Sequence, residues 1–107
     1  SSDRITKSIS YMKKHLDKKL SLDVLATNVN LSVSQYCTLF KKKTSRPPLN
    51  YLTHLRIQKA SNLLDFSDLK INIIAGHVGY ADPFYFTRVF TNIMGKSPKA
   101  YRNLKKG

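Results

Sequence analysis

The sequence contains two copies of one pattern, about 50 residues apart, and this duplication limits the folds open to the chain. The run Leu25-Ala26-x-x-Val29-Asn30-Leu31 matches Ile74-Ala75-x-x-Val78-Gly79-Tyr80 at an offset of 49. At an offset of 50, the chain then matches Phe40, Ser45, Pro48 and Tyr51 with Phe90, Gly95, Pro98 and Tyr101. One inserted residue near Ala81 reconciles the offsets. Two copies are too few for a solenoid, which needs about three or more repeats. The pattern therefore predicts two similar modules.

Apolar residues recur at helical spacing, and no stretch alternates as a strand would. The first helix is marked by Ile5, Ile9, Met12 and Leu16, with Asp3 as its expected N-cap. Pro48 is expected to begin a long helix that runs to Leu64. Its inward positions are expected to be Leu52, Leu55, Ala60 and Leu63.

The sequence therefore predicts an all-α fold of about seven helices, in which two helix-turn-helix subdomains are joined by a long connecting helix. We assign residues 1–47 to the first subdomain, 48–65 to the connecting helix and 66–107 to the second subdomain, the three together forming one domain. A chain of 107 residues is long enough to bury a core without metal or disulfide crosslinks.

Each copy has the spacing of a helix-turn-helix. Ala26 or Ala75 lets two helices approach closely, and four residues later Asn30 or Gly79 can adopt a left-handed backbone conformation. The next helix then needs a side-chain N-cap, which the copies provide as Ser32 and Asp82. Its buried face is expected to comprise Tyr36, Leu39 and Phe40 in the first copy and Phe86, Val89 and Phe90 in the second.

The chain is strongly basic, with 19 Lys and Arg, 6 acidic residues and a net charge of +13. The excess is spread over both halves, which indicates a polyanionic partner, with nucleic acid first among the candidates. No apolar run approaches the roughly 18 residues of a membrane span. The single cysteine, Cys37, favours a reducing compartment such as the cytoplasm.

The side of each second helix opposite its buried face carries small, polar, basic and aromatic side chains. In the first copy, the residues expected there are Val33, Ser34, Gln35, Thr38, Lys41 and Lys42. In the second copy they are Pro83, Phe84, Tyr85, Arg88 and Thr91, followed by Lys96 beyond the helix. Such a surface suits a helix whose first turns meet base edges in the major groove of double-stranded DNA.

Several of these side chains have a specific expected role in a groove. Arg88 can bind O6 and N7 of guanine together, and Gln35 can pair with adenine. Phe84 and Val33 are suited to lie on the methyl group of thymine. The lysines at 41, 42, 43 and 96 are expected to meet phosphates, which gives affinity without sequence information. For Arg56, on the connecting helix, an ion pair with an aspartate is favoured over base reading.

These motifs also carry a family resemblance over nearly the whole chain. The matching stretches are Ser21-Leu22-x-x-Leu25-Ala26, Phe40-Lys41-Lys42, Tyr51-Leu52-x-x-x-Arg56-Ile57-x-x-Ala60-x-x-Leu63-Leu64, Ile74-Ala75-x-x-Val78-Gly79-Tyr80-x-Asp82-x-x-Tyr85-Phe86-x-Arg88-Val89-Phe90 and Gly95-Lys96-Ser97-Pro98-x-x-Tyr101-Arg102. Together they resemble the C-terminal DNA-binding domain of AraC/XylS-type transcription regulators. The resemblance implies two helix-turn-helix units that read successive major grooves of one duplex face. It also implies activation through RNA polymerase and a separate N-terminal sensing or dimerisation domain.

Four positions depart from the family pattern. Thr38 stands where an arginine is common, so the first module is expected to read bases more weakly or differently, and Phe84 stands where a small polar residue is usual. Asn30 and Ser45 each replace a glycine, at a small expected cost. These departures bear on the target sequence and leave the fold assignment unchanged.

An alternative remains at this point: a basic helical module that binds RNA or an acidic partner by charge alone. Enzymatic activity is not expected, because no nucleophile–base pair, phosphate loop or paired carboxylates are present. The histidines and Cys37 lack metal-ligand spacing, and no metal or cofactor is expected. The duplicated exposed face favours DNA, since binding by charge has no use for two capped helices in register.

Overall fold

A computed structural model describes the backbone of residues 2–106 and the side chains of residues 3–104. Within these residues the chain forms seven helices and no strand, which confirms the all-α prediction. The helices are α1 (Ser2–Lys14), α2 (Leu22–Asn28), α3 (Val33–Thr44), α4 (Pro48–Phe66), α5 (Ile71–His77), α6 (Pro83–Met94) and α7 (Pro98–Lys106). Among the described residues, none of these helices has the length and apolar character needed to cross a membrane.

The helices form two compact units, residues 1–53 and 54–107, and the division between them falls inside α4. In the first unit, the buried side chains that belong to the core include Ile5, Met12, Leu25, Tyr36, Phe40 and Leu52. The Tyr36 hydroxyl also lies 2.6 Å from the Ser8 hydroxyl in this core, so two buried polar groups satisfy one another.

The start of the first unit differs from the prediction in two respects. Asp3 lies inside the first turn of α1, so its assignment as N-cap is wrong. An acidic side chain in the first turn still opposes the positive end of the helix dipole favourably. Leu16 follows the end of α1 and is half-buried, whereas Ile5 and Met12 are buried as expected.

The second unit has its own core, which contains the C-terminal part of α4. Its buried residues are Ile57, Ala60, Leu64, Ile74, Ala75, Val78, Tyr80, Phe86 and Phe90. Two of the expected inward positions of α4, Leu55 and Leu63, are half-buried instead. The buried face of α4 in this unit is therefore set by Ile57, Ala60 and Leu64.

Arg102 on α7 binds the segment at the end of α4. Its guanidinium donates three hydrogen bonds to backbone carbonyl oxygens: from Nε to Leu64 (3.3 Å), from Nη2 to Ser67 (3.1 Å) and from Nη1 to Leu69 (2.7 Å). The carbonyls at a helix C-terminus have no partner within the helix, so a side-chain donor there satisfies groups that would otherwise require water. This contact fixes the segment between α4 and α5.

Candidate nucleic-acid interface

The two turns have the left-handed residues that the sequence predicts. The backbone φ angle is 59° at Asn30, between α2 and α3, and 97° at Gly79, between α5 and α6. The following amide closes each turn in the same way. Leu31 N donates to Ala26 O at 3.1 Å, and Tyr80 N donates to Ala75 O at 2.8 Å. The duplicated motif therefore has a duplicated local structure.

Both second helices have the predicted N-caps. Ser32 Oγ accepts a hydrogen bond from Gln35 N at 3.1 Å, and Gln35 Oε1 accepts one from Ser32 N at 3.2 Å. This reciprocal capping box satisfies two amides at the start of α3. In α6, Asp82 Oδ1 accepts from Phe84 N at 2.9 Å, and Pro83 occupies the first turn, where no intrahelical amide partner is needed.

Each of these helices buries an aromatic face. Tyr36 and Phe40 are fully buried in α3, and Phe86 and Phe90 are fully buried in α6. The ring centres lie 5.6 Å apart in the first pair and 5.9 Å apart in the second. Aromatic pairs at these separations contribute to stability beyond the area that they bury. Burial of this face fixes which side of each helix reaches the solvent.

On α3, the solvent side carries most of the residues that the sequence assigned to DNA. The exposed ones are Ser34, Gln35, Thr38, Lys41 and Lys42, whereas Val33 is half-buried. A shallow groove of about 450 Å³ runs beside them, lined by Leu31, Ser34, Gln35, Thr38, Leu39 and Lys42. The face is therefore polar and basic, with an apolar edge.

The capping box limits what Gln35 can do on this face. A glutamine that pairs with adenine uses its oxygen and its amino group together. In α3 the oxygen of Gln35 already accepts from Ser32 N, so the cap fixes the orientation of the amide and occupies one of the two lone pairs of its oxygen. With its cap intact, Gln35 can therefore meet a base only in the orientation that the cap allows.

On α6, the solvent side is aromatic near its start and polar farther along. Phe84 is 83% exposed and Tyr85 is 51% exposed. Arg88 and Thr91 are also exposed, and Pro83 is half-buried. The Thr91 hydroxyl donates to Thr87 O at 2.7 Å, which leaves its oxygen as an acceptor toward a partner. Lys96 is exposed just beyond Gly95, where the backbone is left-handed at φ 81°.

An aromatic and cationic ladder connects α4 to the exposed face of α6. The guanidinium carbon of Arg56 lies 5.7 Å from the centre of the Tyr80 ring, and Tyr80 lies 5.9 Å from Tyr85. The guanidinium carbon of Arg88 lies 5.8 Å from the Tyr85 ring. Burial lowers the pKa of Arg56, and the nearby Tyr80 opposes that shift. Sequence reasoning did not predict this ladder, because it considered only an aspartate as the partner of Arg56.

The described side chains also bear on other kinds of site. No three His, Cys, Asp or Glu residues in this part of the chain are grouped so that they could hold a metal ion. Cys37 is a free, half-buried thiol on α3. The exposed faces of α3 and α6 therefore remain the candidate site.

Comparison with known families and proteins agrees with this geometry. A family model described as a helix-turn-helix domain matches residues 25–104. The chain is 42% identical over 93 residues to the MmsAB operon regulatory protein of Pseudomonas aeruginosa, a match that covers 87% of this chain and 30% of that protein. It is 33% identical over 102 residues to the raffinose operon transcriptional regulatory protein RafR of Pediococcus pentosaceus, covering 95% and 37%. The chain thus spans about a third of the length of these relatives.

Solved structures give the same result. The DNA-binding domain of the global transcriptional factor AdpA, crystallised with a target DNA, matches with a TM-score of 0.90 and 27% identity, covering 94% of this chain and 90% of that one. The C-terminal domain of AraT, a response regulator from Geobacillus stearothermophilus, matches with a TM-score of 0.91 and 31% identity, covering 94% and 84%.

Proposed function

This chain belongs to the AraC/XylS-type helix-turn-helix family, and on that premise we propose that it binds double-stranded DNA in a sequence-specific manner. The observation that carries the proposal is the pair of capped helices, α3 and α6, each with a buried aromatic face and an exposed polar one. Regulators of this family bind DNA and are not enzymes. Each recognition helix enters one major groove, and the two grooves lie on the same face of the duplex.

We propose that Arg88 makes the main base contact. It lies on the exposed face of α6, six residues after the Asp82 cap, where a recognition helix meets base edges. A guanidinium can bind O6 and N7 of guanine with two hydrogen bonds, which is the commonest specific contact in the major groove. The stacked Tyr85 ring supports this role, because it limits the orientations open to the guanidinium before DNA arrives.

We propose that α3 and α6 make different kinds of base contact. On α3, Gln35 in its capped state offers its amide in a fixed orientation, and Ser34 and Thr38 offer hydroxyl groups, so the base contacts of this helix are short and polar. The exposed lysines at 41, 42 and 96 bind phosphates and fix the position of each module on the duplex. Residues 1–47 and 66–107 each supply one recognition helix, and residues 48–65 connect them.

The relatives described above are regulators of operons, which supports a wider role for this chain. We propose that the chain is the DNA-binding part of a larger regulator that activates transcription through contact with RNA polymerase. A further domain for sensing or dimerisation fits the greater length of these relatives. Such a regulator would act in the bacterial cytoplasm, at the nucleoid.

The test is a selection of this domain against a random double-stranded library of about 25 base pairs at near-physiological salt. We expect a bipartite motif with halves about 10 base pairs apart. Arg88→Ala should then weaken binding to the selected duplex by about 1–3 kcal/mol and relax the preference at one guanine.

Two outcomes would contradict the proposal. Binding without any enriched sequence would leave only attraction by the net charge of +13. An equal loss of affinity on selected and unrelated duplexes after Arg88→Ala would assign Arg88 to the phosphate backbone. Enrichment of one half-site would retain sequence-specific binding but remove the second groove from the proposal.

A further inference from the structure

We infer that Phe84 makes α6 a reader of the 5-methyl group of a pyrimidine that lies next to the guanine bound by Arg88. The preferred ligand is then a duplex step with thymine, or equally 5-methylcytosine, at that position. This inference rests on the proposed function and gives it a chemical class of target, including a target created by DNA methylation.

Phe84 is held in place by its backbone while its side chain remains in solvent. Its amide donates to Asp82 Oδ1 at 2.9 Å, within the first turn of α6. The ring is 83% exposed, and within the described part of the chain the aromatic contacts of this region join Tyr80, Tyr85, Phe86 and Phe90 without it. The folded domain therefore does not use this ring for packing.

Exposure by itself does not define a binding group, because single apolar side chains are common on protein surfaces. Phe66 is even more exposed, at 86%, yet it lies at the end of α4. What distinguishes Phe84 is its position on the face of α6 that carries Arg88. Residues four apart in a helix share one face. Phe84 and Arg88 therefore approach the same stretch of any duplex that α6 meets.

The helix geometry sets how far apart their contacts lie. Four residues span about 6 Å along a helix axis. Base pairs are stacked about 3.4 Å apart. The ring of Phe84 therefore falls within about two base pairs of the guanine that Arg88 binds.

The chemistry of the major groove then selects the contact. A phenyl ring has no hydrogen-bond donor or acceptor, so it cannot distinguish the polar edges of bases by pairing with them. The thymine methyl is the apolar feature of the unmodified major groove. Cytosine methylated at C5 presents the same methyl group at the same place. Phe84 therefore discriminates by the methyl group and tolerates the exchange of thymine for 5-methylcytosine.

The test uses the duplex obtained from the library selection as its probe. Each thymine of the half-site bound by α6 is replaced in turn by deoxyuridine, which removes the methyl group alone. At one position within two base pairs of the Arg88-dependent guanine, we expect about a fourfold loss of affinity, the value for burying one methyl group. Cytosine and 5-methylcytosine at that position should differ by a similar factor of about four.

Variants assign the effect to the ring. Phe84→Ala should bind the thymine and deoxyuridine duplexes equally, and likewise the cytosine and 5-methylcytosine duplexes. Phe66→Ala is the matched control: it removes an equally exposed phenyl ring outside α6 and should keep the full methyl dependence. Both variants should melt close to the parent protein, because neither ring is packed.

The outcomes separate this inference from the proposed function. If no sequence is enriched, the proposed function itself is wrong. If the Arg88-dependent guanine is found but no deoxyuridine substitution changes the affinity, or the half-site lacks a thymine near that guanine, the methyl inference alone is overturned. It is overturned as well if Phe84→Ala retains the methyl dependence of the parent.

Discussion

The guanidinium of Arg88 lies over the ring of Tyr85, with its central carbon 5.8 Å from the ring centre. Both side chains belong to the solvent-exposed face of α6, and they make this contact in the absence of DNA. A cation held over an aromatic face gains about 0.5–1 kcal/mol at an exposed site. Tyr85 thus acts as a positioning residue for the arginine proposed to bind guanine.

Tyr85→Ala should weaken binding to the selected duplex by about 0.5–1 kcal/mol, because Arg88 then loses its preferred orientation. Tyr85→Phe should bind nearly as well as the parent, since the ring is retained. Affinity titrations on the selected duplex and on the same duplex without the guanine measure the effect. In an Arg88→Ala background, Tyr85→Ala should change little. A full additional loss there would show that Tyr85 contacts DNA by itself.

Two glycine-to-alanine substitutions should change stability in opposite directions. Gly76 lies inside α5, and an added methyl group there meets no heavy atom within 4 Å. Gly76→Ala should therefore raise the free energy of unfolding by about 1 kcal/mol. Gly95 has equal space, but its φ of 81° disfavours any residue with a Cβ, so Gly95→Ala should lower it by about 1–2 kcal/mol. Urea unfolding measures both, and changes of the same sign would refute the backbone argument.

Stability should fall in alkali because of Tyr36. Burial raises the pKa of this phenol above 10.0, so the folded state holds the proton more tightly than the unfolded chain does. The contribution is complete below the unfolded pKa and is lost as the pH rises through the folded pKa. Tyr36→Phe should reduce the slope of stability against pH above pH 10, measured by urea unfolding at several pH values. A residual slope is expected from Tyr101, whose pKa is also raised by burial and by Asp65.

The same substitution tests the hydrogen bond with Ser8. At neutral pH, Tyr36→Phe should lower stability by about 1–3 kcal/mol, because the buried Ser8 hydroxyl loses its partner. Adding Ser8→Ala should recover part of that loss, since the unsatisfied hydroxyl is then gone. A double variant less stable than the single one would contradict this explanation.

Arg102 should be important for the stability of the second unit. Arg102→Ala removes three hydrogen bonds to backbone carbonyls and should lower the free energy of unfolding by about 2–3 kcal/mol. Arg102→Lys should recover less than half of this, because an ammonium group cannot reproduce the fork of a guanidinium. Thermal unfolding measures the loss. Lys99→Ala removes an exposed cation from the same helix and should leave the melting temperature unchanged.

Features defined by local sequence were predicted well. The caps at Ser32 and Asp82 and the left-handed residues Asn30 and Gly79 depend on a few neighbouring residues, and the structure confirms each. Asp3 was misassigned because the first turn of α1 starts before it. A capping side chain and a first-turn side chain look alike in a sequence, since both are acidic near a helix start.

Features that depend on tertiary packing were missed. The α4 pattern gave Leu55 and Leu63 as inward, whereas Ile57 and Leu64 are buried, because packing in the core of the second unit decides which side of this part of α4 faces inward. The three carbonyls bound by Arg102 converge only once α4 has ended and the next segment has turned. For the candidate interface, helical periodicity predicted the exposed sides of α3 and α6. The stacking of Arg88 on Tyr85 depends on side-chain conformation, which periodicity does not predict.

The capping box at the start of α3 has a consequence for how the target sequence can change during evolution. Gln35 both faces the solvent and closes the cap, so a substitution there alters the proposed contact and the stability of the helix together. The equivalent position on α6 is Tyr85. The neighbouring Phe84 side chain takes no part in capping, because Asp82 accepts its hydrogen bond from the backbone amide of Phe84. Substitutions at position 84 can therefore change the target sequence without weakening the helix cap. Substitutions at position 35 also lower the stability of α3, so they are tolerated only if the rest of the domain is stable enough to compensate.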